Sequence, residues 1–91
     1  MSISLREAFL DAILDGTLGK GLLVTRQEVI ALFPGFSENY KKVFLSNSEM
    51  STATHSPTYK KFTQRVSDGI YRVHPQVLVE RLSEREQQLA G

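Results

Sequence analysis

The sequence contains no cysteine, and that one absence removes disulfides, thiolate zinc sites and cysteine nucleophiles together. It fits a reducing cytosol. The chain opens Met1-Ser2-Ile3-Ser4 and runs straight into an amphipathic helix pattern, without the basic and apolar regions of a secretory leader. No apolar run approaches the roughly 18 residues of a membrane span. A soluble, cytoplasmic protein with no membrane partner is therefore expected. Internal repeats, low-complexity tracts and glycine-rich loops of the P-loop or dinucleotide-binding kind are also missing. Ninety-one residues leave room for a single domain, residues 1–91, that buries about 60–70% of its unfolded surface.

The net charge is only +1, but the charges are unevenly placed. Residues 1–36 carry Arg6, Lys20 and Arg26 against Glu7, Asp11, Asp15 and Glu28, a balance of −1. Residues 37–74 set Lys41, Lys42, Lys60, Lys61, Arg65 and Arg72 against Glu38, Glu49 and Asp68, a balance of +3. Residues 75–91 return to −1. A basic middle segment points to an anionic partner.

Helix signals come early and clearly. Ser4 with Glu7 is a capping-box pattern, followed by Leu5, Ala8, Phe9, Ala12 and Ile13 at helical spacing and a stop at Gly16. The glycine-containing connection that follows holds a candidate short strand at Leu22 to Val24. Thr25 with Glu28 repeats the capping box, Val24 and Val29 form a hydrophobic staple, and Pro34-Gly35 ends the second helix. Ser37 caps a third, residues 37–46, whose expected buried stripe is Tyr40, Val43 and Phe44. That phase leaves Asn39, Lys41, Lys42 and Ser46 facing outward. A polar segment from Asn47 to Thr58 carries no periodicity and reads as a loop. Pro75 opens a last helix, 75–90, with Val77, Leu78, Val79, Leu82 and Leu89 as its apolar side.

Between loop and tail, Ser67-Asp68-Gly69 separates two apolar-alternating runs, a hairpin signal. A two-residue turn of type I′ at Asp68-Gly69 pairs Val66 with Tyr71, Arg65 with Arg72, Gln64 with Val73 and Thr63 with His74. Phe62, Val66, Tyr71 and Val73 then form the core face. A competing reading starts a helix at Ser56-Pro57 and closes it at Gly69. It leaves Ile70 to Val73 without a strand partner, so the hairpin is preferred. Three helices, a hairpin and a C-terminal helix give a mostly α fold with a small β-hairpin, in the order of a winged helix-turn-helix.

The stretch Asn39-Tyr40-Lys41-Lys42, the loop containing His55-Ser56-Pro57-Thr58-Tyr59, and Phe62 through Val73 resemble a recurring small domain. It is winged-helix-like and occurs in or beside restriction-modification and other DNA-processing proteins. The shared element is a phenylalanine, a valine, a glycine, then Tyr-Arg and an aliphatic residue. The resemblance implies DNA binding without naming a target.

In the helix-turn-helix plan the second helix enters the major groove. The expected nucleic-acid contacts are Asn39, Lys41 and Lys42 on the recognition helix (37–46), and Lys60, Lys61, Arg65 and Arg72 on a basic wing (59–74). Asparagine can read an adenine edge, and Ser48, Ser51, Thr52, Thr54 and Ser56 can donate to phosphates. Like charges facing across a strand pair are unfavourable, so Arg65 opposite Arg72 suggests an anion between them. The spacing of His55 and His74, with Asp68 or Glu49, matches no metal-ligand pattern. No cofactor, metal or catalytic residue is expected, and the chain is not expected to be an enzyme. The rival reading is a protein–protein interaction adaptor on the same fold, with the C-terminal helix as a possible homodimer surface.

Overall fold

A computed structural model describes residues 4–50 and 57–90. The chain forms α1 (Leu5–Leu14), a 3-10 turn (Lys20–Leu22), β1 (Leu23–Thr25), α2 (Arg26–Leu32), α3 (Glu38–Asn47), β2 (Thr63–Ser67), β3 (Ile70–Val73) and α4 (Pro75–Ala90). The strands make one antiparallel sheet in the order β1-β3-β2. Among the described residues the architecture is thus four helices with a three-stranded sheet, the hairpin being joined by a third strand. The extra strand pairs Val24 with Tyr71 and lies at the sheet edge. It overlaps the short strand expected at Leu22 to Val24, and what the sequence does not name is its partner, which is remote in the chain.

Both capping boxes close. Glu7 N–H donates to Ser4 Oγ at 3.1 Å and Glu28 N–H to Thr25 Oγ1 at 3.2 Å, while each glutamate accepts from its cap residue's N–H. Ser37 Oγ accepts from Tyr40 N–H and starts α3. These caps satisfy donors that a helix N-terminus otherwise leaves orphaned.

The core centres on Phe9, which is fully buried. Its ring centroid lies 5.1 Å from that of Phe44, 6.2 Å from Phe62 and 6.5 Å from Phe33. Leu5, Leu10 and Ile13 complete the inner face of α1, and Val24, Val29, Tyr71, Val73 and Val77 close the core.

The hairpin turns at Asp68-Gly69, but its register differs from the expected one. Ser67 faces Ile70, then Arg65 faces Tyr71, Gln64 faces Arg72 and Thr63 faces Val73. Val66 is the extra residue of a bulge and is 52% exposed instead of buried. Among the described residues of the turn only Gly69 has positive φ, +74°, so the turn is not type I′, which needs two. Burial decides the register. Thr63 is wholly buried, and its hydroxyl donates to the Leu45 carbonyl while its N–H donates to the Ser48 carbonyl. A continuous register would have placed it against His74 instead.

α4 also turns a different face inward. Val77 is buried and Leu78 packs half-buried against the core, as expected, but the next buried residue is Arg81, whereas Val79 and Leu82 are exposed. The side chain of Leu89 lies outside those described. Arg81 Nε and Nη2 donate to the two carboxylate oxygens of Asp11 at 2.8 and 3.0 Å, and Nη1 reaches Glu7 at 3.3 Å. The Asp11 hydrogen bonds, aided by the charges of Asp11, Glu7 and Glu84, raise the Arg81 pKa despite burial. Arg85 lies within ion-pair distance of Asp11 and Asp15, and Glu84 faces Arg6 at 3.5 Å. Beyond Val77 and Leu78 the α1–α4 seam is therefore ionic where a continued apolar stripe was expected. Among the described residues no helix is long and apolar enough to cross a membrane.

Candidate nucleic-acid interface

The phase of α3 decides which of its side chains can meet a ligand. Its buried face is Lys41, Phe44 and Leu45, with Ser48 just beyond, at i, i+3, i+4 and i+7. Tyr40 and Val43, expected inside, are 47% and 44% exposed. Lys41, expected outside, is 4% exposed. Its Nζ donates to the Ile30 carbonyl at 2.9 Å and lies 3.1 Å from the Glu38 carboxylate. The lysine stem packs as an aliphatic chain while its ammonium answers a carbonyl in the last turn of α2. Lys41 is thus a tie between α2 and α3, with no free ammonium to offer.

Asn39, Lys42, Val43 and Ser46 line the opposite, exposed face at i, i+3, i+4 and i+7. Neither Asn39 nor Lys42 spends its side chain on a hydrogen bond or ion pair among the described residues. The face presents an amide, a cation, a branched apolar group and a hydroxyl in line. Val43 is the member of this face that periodicity missed. Counting Leu45 with Phe44 would have set the phase correctly.

Lys60 and Lys61 precede β2 and are exposed. Lys61 Nζ donates to the Asn47 carbonyl at the end of α3, where the helix dipole favours a cation. This hydrogen bond brings the basic segment against the C-terminus of α3. Arg65 and Arg72 are both exposed, but the observed register places them on opposite faces of the sheet. Arg72 sits between Gln64 and Leu23 on the outer face, and Arg65 lies beside Tyr71 on the other. The facing pair of like charges does not exist, and no anion is needed to relieve it.

Of the hydroxyl residues read as phosphate donors, Ser48 is buried and donates to the Phe44 carbonyl at 2.8 Å. Ser51, Thr52, Thr54 and Ser56 lie outside the described residues, as does His55. His74 accepts the Gln76 N–H through Nδ1 at the start of α4, a helix-capping position.

Comparison with known proteins finds no family model, no curated protein and no solved structure that matches the chain.

Proposed function

We propose that this chain is a winged-helix module that binds double-stranded DNA, with the outer face of α3 in the major groove and the β2–β3 hairpin as its wing. The order α1-β1-α2-α3-β2-β3, with β3 central in the sheet, supports the fold assignment. The observation that carries the function is how the charges are partitioned. Glu7, Asp11, Asp15 and Glu84 are engaged with Arg6, Arg81 and Arg85 along the α1–α4 seam, and Glu38 is engaged with Lys41. Lys42, Lys60, Arg65 and Arg72 have no ion-pair partner among the described residues. Within residues 37–74 these unpaired cations, with Lys61, outnumber the unpaired acids Glu49 and Asp68, so a local excess of positive charge remains at the surface although the net charge is only +1.

In this reading Asn39 supplies a bidentate contact to an adenine edge, and Val43 packs on a thymine methyl. Lys42, Lys60, Lys61, Arg65 and Arg72 hold phosphates and set the register. Lys41 has no part in it. The test is an amide-resolved NMR titration with a short random duplex at low salt. Shifts concentrated in residues 38–47 and 59–73 are expected, fading as salt rises. Shifts confined to α4, or none at all, would replace the DNA reading with that of a protein-interaction adaptor.

A further inference from the structure

A cleft of about 350 Å³ opens between the start of α1, one side of α3 and the segment ahead of β2. Its volume falls at the lower end of the range of small-molecule sites. Aromatic residues line much of it: Phe44 and Phe62 from the core, and Tyr40 and Tyr59, each with about half its surface exposed. Two cations, Arg6 and Lys60, line it as well, beside the polar Ser4, Asn47 and Ser48.

Arg6 is the unusual member. It is only 7% exposed, and its guanidinium carbon lies 3.8 Å from the centroid of the Tyr59 ring. Nε donates to the Tyr59 carbonyl at 2.9 Å, and Nη1 meets Glu84 at 3.5 Å. Nη2 is buried and has no hydrogen-bond partner among the described residues. Buried donors on charged groups are costly to leave unmade, and native structures seldom do so without a reason. Here the orphan belongs to a side chain that lines an aromatic cleft, with a second cation nearby.

We propose that this cleft binds a small planar anion, an aromatic ring bearing a carboxylate or phosphate group. The ring packs against Tyr40 and Phe44, while the anionic group takes the free Nη2 of Arg6 and the ammonium of Lys60. Planarity follows from the aromatic walls, which favour offset or edge-to-face packing. The negative charge follows from the guanidinium, whose planar donor fork matches carboxylate and phosphate oxygens. Tyr59 covers the guanidinium from the solvent side and shifts to admit the ligand.

The test is a titration of the full chain with 2-naphthoate, followed by NMR and calorimetry, beside its neutral isostere naphthalene-2-carboxamide and thymidine 5′-monophosphate. Saturable shifts at Arg6, Tyr40 and residues 59–62 are expected with naphthoate or the nucleotide. Which of the two binds more tightly distinguishes a free aromatic acid from a nucleotide as the source of the chemistry. The carboxamide should bind at least about tenfold more weakly, because it lacks the charge-assisted hydrogen bonds. Arg6→Gln can unfold the chain, so exposed residues carry the mutational arm. Lys60→Gln and Tyr40→Ala should each weaken binding severalfold, and Lys60→Gln should leave the urea midpoint unchanged. Saturation by neither anion, or equal binding of the carboxamide, overturns the proposal. No duplex is present in the titration, so its outcome is independent of the DNA reading.

Discussion

Two adjacent lysines with the same chemistry have opposite fates because α3 advances about 100° per residue. Sequence spacing alone supports either phase, since Phe44 belongs to both the Tyr40–Val43 stripe and the Lys41–Leu45 stripe. A long amphipathic side chain on the inner stripe is what hides the correct one. The assignment makes a paired prediction. Lys41→Ala should cost about 1–3 kcal/mol in urea unfolding, because the Ile30 carbonyl loses its donor and the stem leaves a gap. Duplex affinity of the folded protein should not change. Lys42→Ala should do the reverse, leaving stability within about 0.5 kcal/mol and weakening the duplex. Gly69 offers a second check at this scale. Its φ is +74°, and no atom lies within 4 Å of where a Cβ would stand, so a substitution there is opposed by the backbone alone. Gly69→Val should destabilise by at least about 1–2 kcal/mol, while Gly69→Asn, which tolerates the left-handed region, should cost clearly less by the same unfolding measurement.

The elements themselves are legible in the sequence wherever a local signal exists. Ser4, Thr25 and Ser37 start helices as their patterns indicate, Pro34-Gly35 separates α2 from α3, and Asp68-Gly69 turns the hairpin. What escapes is whatever depends on a distant partner. The short strand expected at Leu22 to Val24 is there, shifted by one residue, but its pairing with β3 is not legible. The bulge at Val66 exists because Thr63 is fixed by carbonyls at the end of α3, which no turn rule contains. The inward face of α4 escapes too, because an arginine occupies a position where hydrophobic patterning looks for leucine. That last point is open to measurement. Arg81→Met should lose about 3–5 kcal/mol of stability, since Asp11 and Glu7 would keep their charges at a seam stripped of its cation. Leu82→Ser, at an exposed position, should be nearly silent in the same denaturation experiment. An apolar α1–α4 seam would reverse the order.

At the scale of the whole molecule, composition understates the electrostatics. Four acids from the two ends of the chain, Glu7, Asp11, Asp15 and Glu84, come together in space and pair there with Arg6, Arg81 and Arg85. The basic middle is left to face solvent through Lys42, Lys60, Arg65 and Arg72. The sequence reveals this basic segment but not the pairing that isolates it, because the α1–α4 seam joins opposite ends of the chain. The register also keeps Arg65 and Arg72 apart, so the repulsion that would call for an anion between them does not arise. Their double substitution to alanine should therefore leave stability almost unchanged, as expected of two exposed side chains. The measurement that bears most directly on DNA binding is the affinity for a random duplex as a function of salt, in the parent and in Arg65→Ala/Arg72→Ala. The parent should bind at low salt with an affinity that falls linearly on a log–log plot. The double variant should bind more weakly, with a slope shallower by about 0.9 for each phosphate it no longer neutralises. A parent without duplex affinity at low salt, or a variant with an identical slope and affinity, would contradict the account.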